Sequence, residues 1–180
     1  MNLVQPIKDK ELLKEIKAYL KESNDRNYIL FLLGIHTGLR ISDILSLKVK
    51  DVQGWDIFIR EKKTGKPREI KMPSELKRAV RSYTKGRTRH EYLIKSRIEK
   101  NKPITRGMAY VILNQIGEAF GLERIGTHSL RKTYGYHHYK TFNDLASLQI
   151  ALNHNDIKET KRYIGIEQDD LNELQRKINW

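Results

Sequence analysis

Trp55-Asp56-Ile57-Phe58-Ile59-Arg60, then Thr64-Gly65-Lys66-Pro67, then Ile70-Lys71-Met72, is the stretch that decides the fold class. Trp55, Ile57 and Ile59 alternate with Asp56, Phe58 and Arg60, and the Thr-Gly-Lys-Pro turn separates them from Ile70 and Met72, which predicts an antiparallel hairpin. Tyr92, Leu93 and Ile94 are candidates for a third strand. Everything around this small sheet has helical periodicity, so the expected class is mainly α with a small antiparallel β-sheet (α+β).

Upstream, Leu12, Leu13, Ile16 and Leu20 mark a helix over Glu11 to Leu20, and a second runs from about Arg26 through Ile35. Gly34 and Gly38 bracket the next bend. A short third helix begins near Arg40 and ends where Lys48 to Asp51 begins. Downstream, Pro73 and Ser74 open a helix to about Tyr83, followed by the basic loop Lys85 to Arg89, read as solvated surface. Thr105 is the expected N-cap of a helix carrying Tyr110, Val111, Leu113, Ile116 and Phe120 inward, stopped by Gly121. Thr127 is the expected N-cap of a helix over His128 to about Tyr139. Shorter helices are expected at Asp144 to Leu152 and Ile157 to Ile164, and a last one at Gln168 to Ile178. There is no internal repeat, low-complexity tract or linker, so 1–180 is expected to form one domain.

The chain has 180 residues, 38% hydrophobic and 32% charged, which is a globular composition. No apolar run approaches the ~20 residues of a bilayer span. With no cysteine there is neither a disulfide framework nor a thiolate metal site, and the polar Met1 to Lys10 lacks a signal peptide's apolar segment, so a cytoplasmic location is the expected default. The formal charge of +13 calls for a polyanionic partner, either nucleic acid or an acidic membrane face.

His128 and Arg131 stand three apart on one expected helix and so share a face. Arg40 lies beside core residues, where a guanidinium needs a carboxylate or a phosphate to satisfy it. Asp43, three residues on, is one such partner. Further on, Tyr163 follows His154 by nine residues. His137-His138 suggests metal binding only superficially, because no Cys or carboxylate cluster at ligand spacing accompanies it.

Taken in order, these segments resemble the tyrosine recombinase family of the phage-integrase type. Thr37-Gly38-Leu39-Arg40-Ile41-Ser42-Asp43 is similar to its first arginine box. Lys63-Thr64-Gly65-Lys66 is similar to its hairpin lysine, and Thr127-His128-Ser129-Leu130-Arg131 to its His-x-x-Arg box. Ala151-Leu152-Asn153-His154 through Thr160-Lys161-Arg162-Tyr163 is similar to its closing box. The resemblance spans almost the whole chain and implies a site-specific DNA recombinase or integrase that cuts and rejoins DNA through a phosphotyrosine. Arg40 and Arg131 would bind the scissile phosphate, His128 and His154 would assist, Lys63 (or Lys62, one residue away) would be the general acid, and Tyr163 would attack.

The chemistry agrees with that division. Planar guanidiniums meet two phosphate oxygens at once, so an arginine pair stabilises the transferring group with no metal and no cofactor. Tyrosine, with a pKa near ~10, needs nearby cations or a base to become a nucleophile. His128 is a candidate for that base. The leaving 5′ oxygen needs a proton, which a lysine on a mobile hairpin supplies. Covalent catalysis stores the energy of the cleaved bond, so rejoining needs no ATP.

Two departures stand out: Asn153 replaces the family's usual Gly before the closing histidine, and tolerates left-handed backbone well; and the first helix starts almost at Met1, where family members commonly carry an N-terminal DNA-clamping domain. The expectation is therefore one-faced binding to double-stranded DNA with steep salt dependence, through Lys66, Arg106 and Lys132 among others. The resemblance also implies a homo-oligomer, a tetramer on DNA, with the stripe Leu171, Leu174, Ile178 and Trp180 packing on a neighbour or on its own core. Alternatives within the fold are a catalytically silent DNA-binding accessory protein and a topoisomerase-like nicking and resealing enzyme.

Overall fold

A computed structural model describes residues 4–98, 100–166, 175 and 176. Eight α-helices surround one hairpin among them: α1 Lys10–Ser23, α2 Asp25–Thr37, α3 Ile41–Ile44, β1 Asp56–Arg60, β2 Pro67–Lys71, α4 Ser74–Tyr83, α5 Arg106–Ala119, α6 Ser129–Phe142, α7 Leu145–Leu152 and α8 Ile157–Ile164. β1 and β2 pair antiparallel, with Ile57 opposite Ile70 and Ile59 opposite Arg68. The expected mainly-α architecture with its hairpin is therefore present. The expected third strand is not: Tyr92 makes an isolated bridge to Lys48 and Lys95 another to Pro103, while Leu93 and Ile94 are buried in the core.

Helix ends follow local chemistry. Asp9 caps α1 by accepting from the Glu11 and Leu12 amides, Thr105 caps α5 through the Met108 amide, and Asp156 caps α8 through Glu159. At α6 the expected cap moves: His128, not Thr127, occupies the N-cap position and makes no side-chain cap bond. Ser129 Oγ instead accepts from the Gly126 amide, closing the preceding turn. The expected helix near Arg40 is likewise only four residues long, with Arg40 extended at its start (φ −68°, ψ 149°).

Two apolar clusters form. The larger joins α1, α2, α4 and α5 with the inner face of the hairpin, through Leu30, Phe31, Leu33, Ile57, Leu76, Leu113 and others. The smaller, Leu148, Leu152, Ile164 and Ile166, gathers α7 and α8 against tyrosines of α6. Helix α6 therefore lies between the main core and a satellite that carries Tyr163. The last expected helix, Gln168 to Ile178, and the stripe to Trp180 lie outside the described residues except for positions 175 and 176.

The α2–α6 packing depends on a glycine. A Cβ at Gly34 would stand 2.5 Å from both Cβ and Cδ1 of Leu130. Leu130 Cβ is tied to the backbone and cannot swing away, so the helices must separate. Gly34→Ala gains about 1 kcal/mol of helix propensity but incurs about 1–3 kcal/mol of overpacking. The expected outcome is a net loss that lowers the melting temperature by a few degrees in a thermal scan; an unchanged or raised value would mean that the two helices have slack.

Candidate active site

Gly38 ends α2 with φ +62°, a backbone conformation that L side chains rarely adopt, and a Cβ there would meet the Tyr134 ring at 2.4 Å. The left-handed turn holds Gly38 O against Arg131 and brings Arg40 close enough for its charge to act on Arg131. Arg131 is 2% exposed, and its guanidinium is anchored on both sides. Nη1 donates to Gly38 O at 2.6 Å and Nη2 to Leu152 O. Those carbonyls belong to the first arginine segment and the closing segment, so one side chain clamps the two ends of the site together. Three of its five N–H groups remain for a ligand. Burial pushes its pKa down to about 10, which leaves it cationic at neutral pH.

Arg40 does not pair with Asp43. Its Nη1 donates to Glu61 Oε2 at 3.0 Å. Asp43 is fully buried and accepts from the Lys62 backbone amide at 2.9 Å, fixing the base of the hairpin turn. A pairing with Asp43 requires positions 40 and 43 to share a helical face, but Arg40 is extended and outside α3, so its side chain leaves in another direction.

The turn after α7 brings in the closing histidine. Asn153 takes the left-handed conformation (φ 50°, ψ 47°) that the sequence anticipates for it, and the His154 amide bonds back to Gln149 O at 3.0 Å. His154 Nδ1 lies 3.1 Å from Thr160 Oγ1, whose hydroxyl donates to Asp156 O, so Nδ1 carries the hydrogen and Thr160 accepts it. Helix α8 then presents Tyr163 edge-on to the His154 ring, with centroids 5.0 Å apart. Gly135 permits this close docking, since a Cβ there would lie 2.6 Å from Ile164 Cγ2.

The Tyr163 hydroxyl is buried and no donor or acceptor meets it with hydrogen-bond geometry among the described residues. Burial raises its pKa, while the guanidiniums of Arg131 and Arg40 pull the other way. His128, more than a third exposed at the mouth of the site, has its pKa lowered by desolvation and by the surrounding cations Arg106, Arg131, Lys132 and Arg40. His154 is lowered too, by desolvation first, partly offset by Glu159. Both imidazoles are therefore neutral at neutral pH in the free protein, which suits a proton acceptor.

The remaining expected positions divide. Lys63 and Lys66 are exposed on the hairpin turn, and Arg106 is exposed at the start of α5, close enough to act on His128. Lys132, expected to reach a phosphate, is 7% exposed, with its ammonium 5.3 Å from the centroid of the Tyr163 ring. It faces the satellite cluster because α8 covers this side of α6. His137 is used structurally, its Nε2 lying 2.9 Å from Ile7 O.

Glu61 and Arg68 were not among the expected residues. Glu61 is 1% exposed and accepts from Arg40, Thr64 and Asn153 on Oε2 and from Arg68 on Oε1. Burial alone would raise its pKa; the hydrogen bonds of Asn153, Arg68 and Thr64 and the charge of Arg40 outweigh it and hold the carboxyl at about 2. A signal was available: Ile57, Ile59 and Glu61 share the period-2 face that points inward, and an inward carboxylate requires cationic partners.

Two guanidiniums from distant segments, flanked by histidines and facing one buried phenol, on a helical scaffold with a lysine-bearing hairpin, define the catalytic domain of a tyrosine-type recombinase. The phage integrase family model matches residues 8–169, and the chain belongs to that family. It is 50% identical over 170 residues to the probable integrase/recombinase YoeC of Bacillus subtilis (strain 168), covering 94% of this chain and 93% of that protein. It is 27% identical to the tyrosine recombinase XerA of Thermococcus onnurineus (strain NA1), covering 93% of this chain but 61% of the archaeal protein. Among solved structures, a XerA recombinase superposes with a TM-score of 0.77 at 22% identity, covering 98% of this chain and 67% of the other, which shows the shared fold. The XerH recombinase bound to difH substrate in a post-cleavage complex superposes with a TM-score of 0.74 at 22% identity, covering 97% and 53%.

Proposed function

We propose that this chain cuts and rejoins double-stranded DNA through a covalent 3′-phosphotyrosine at Tyr163, as a site-specific recombinase or integrase. The observation that carries this reading is the Tyr163 hydroxyl, buried, meeting no partner with full hydrogen-bond geometry among the described residues, and lying within reach of the Arg131 guanidinium and the field of Arg40. A buried phenol without a well-formed hydrogen bond costs stability, and such a cost is retained where the group has a reaction to perform.

In the step proposed, the guanidiniums of Arg40 and Arg131 hold the non-bridging oxygens of the scissile phosphate. The Tyr163 oxygen attacks phosphorus while neutral His128 takes the phenol proton. The bond to the 5′ oxygen breaks, and Lys63 protonates that oxygen as it leaves as a 5′ hydroxyl. Attack by a 5′ hydroxyl on the phosphotyrosine reverses every transfer, so resealing consumes no nucleotide and the residues proposed here need no metal or cofactor. His154, held by Thr160 and stacked edge-on against Tyr163, orients the phenol. Double-stranded DNA as partner, and assembly of several copies on it, are supported by related structures described as DNA complexes, among them a lambda integrase tetramer bound to a Holliday junction.

The test is to incubate the protein with a pool of nicked duplexes of random central sequence, denature, and recover DNA that remains attached to protein. A tyrosine-linked nucleotide on the peptide containing residue 163 supports the reading. Absence of any denaturant-resistant adduct from the pool, under conditions where the protein binds DNA, refutes it.

The binding face is electrostatic. The chain carries a formal +13, and Lys63, Lys66 and Arg106 are exposed around the site. If about four phosphates are neutralised, affinity for a duplex should fall roughly 100-fold between about 50 and 200 mM salt. Fluorescence anisotropy titrations at several salt concentrations measure this slope, and a flat dependence contradicts the assignment of that face.

A further inference from the structure

We infer that Glu61 is a positioning residue whose buried carboxylate ties three separate segments into one unit: Arg40, the Lys63-bearing hairpin, and the Asn153 turn that carries His154. The consequence for catalysis rests on the function proposed above; the physical coupling does not.

The Glu61 carboxylate accepts four hydrogen bonds, about as many as a carboxylate can take. Arg40 Nη1 at 3.0 Å, Thr64 Oγ1 at 3.0 Å and Asn153 Nδ2 at 3.1 Å crowd Oε2, and Arg68 Nη1 meets Oε1 at 3.0 Å. The four donors come from three elements, Thr64 and Arg68 both belonging to the hairpin. Arg40 is a phosphate-binding candidate. Arg68 lies on β2 and also reaches Thr37 O at 3.3 Å, linking the hairpin to the end of α2. Thr64 is next to Lys63 in the turn. Asn153 directly precedes His154.

The backbone of Glu61 closes the same turn, because its amide bonds to Lys66 O and its carbonyl accepts from Gly65. Movement of the hairpin must therefore displace the carboxylate, and with it Arg40 and the Asn153 amide. Arg131 links the same Gly38 and Leu152 segments from the opposite side, through backbone carbonyls. The site is thus held by two buried charges of opposite sign, one positive at its floor and one negative at its hairpin wall.

Asn153 offers the discriminating variant. Its φ of +50° suits glycine at least as well, so Asn153→Gly keeps the turn and deletes only the amide that reaches Glu61. Glu61→Gln removes the charge at nearly constant shape. Two readouts are taken on the full chain. Hydrogen exchange in the DNA-free protein should quicken, in Asn153→Gly, by about threefold or more at hairpin residues 61–66, which lie about ninety positions away in sequence, because local opening there becomes easier. On duplexes recovered from the random nicked pool, both variants should form adduct about tenfold more slowly at saturating DNA while binding DNA within about twofold of the parent, since a misplaced group costs rate rather than affinity.

Unchanged hairpin exchange in Asn153→Gly overturns the coupling even if Glu61→Gln does not fold. Accelerated exchange with unchanged adduct rates would also overturn the proposal, since the link would then position nothing that reacts. If the parent chain forms no adduct at all, the proposed function fails, and the exchange result alone decides whether Glu61 joins the segments.

Discussion

Tyr163→Phe is expected to abolish the denaturant-resistant DNA adduct, by at least about a thousandfold, because the other hydroxyl on α8, Thr160, is fully buried and engaged with His154 and Asp156. The same substitution should leave DNA affinity within about twofold of the parent. It should also leave the fold at least as stable. The phenol oxygen is buried and no contact to it has full hydrogen-bond geometry among the described residues, so replacing O–H by H removes a desolvated polar group and at most a weak interaction with Arg131. An unsatisfied buried polar group costs about 1–3 kcal/mol. The field of Arg131 and Arg40 returns part of that, so a gain of up to about 1 kcal/mol is expected, measured as a shift in the urea midpoint at unchanged slope. Loss of adduct together with equal or higher stability is the signature of a residue kept for chemistry. Adduct persisting in Tyr163→Phe would pass the role to another tyrosine, and Tyr136 and Tyr139 on α6 are next to be replaced.

The parts of this site that were legible from the sequence are those whose spacing is local. The hairpin follows from alternation and a turn, and Tyr163 follows from its distance to His154 across a turn that Asn153 can make. Convergence of Arg40 with Arg131 was legible only through the resemblance, since 91 positions separate them and no periodicity links them. Glu61 was illegible for a different reason. Beside Lys62 and Lys63 it resembles any charged turn residue, and only the continuation of the Ile57–Ile59 face identifies it as inward. The alternative partner Asp43 is excluded by something spacing does not show, namely that Arg40 is extended and stands outside the helix that carries Asp43. The burial of Lys132 by α8 is a tertiary event with no local signal: adjacent to Arg131 in sequence, it lies beside the Tyr163 ring in space. Spacing alone does not show where one element covers another.

Arg131→Ala is expected to damage fold and chemistry together, and the two can be separated. The guanidinium satisfies Gly38 O and Leu152 O, both in the interior of the site. Removing it leaves two buried carbonyls without their donor, at about 1–3 kcal/mol each, offset in part because an arginine held at 2% exposure no longer has to be desolvated. A net loss of about 2–4 kcal/mol is expected, which for a chain of this size lowers the melting temperature by roughly 5–15 °C. The rate of adduct formation per folded molecule should fall by about a thousandfold or more, since transition-state donors of this kind are worth about a hundred- to a thousandfold each and Arg131 also aligns the two segments that carry Arg40 and His154. Arg131→Lys isolates the second effect. An ammonium keeps the charge but lacks the planar fork, so it can serve one of the two carbonyls and cannot also address a phosphate from a fixed angle. It should recover part of the stability while remaining about a hundredfold slow. Single-turnover adduct rates at a temperature where circular dichroism shows each variant fully folded make the comparison. If Arg131→Lys reacts at the parental rate, phosphate recognition in this site belongs to Arg40 and the hairpin, and the buried guanidinium is structural cement alone.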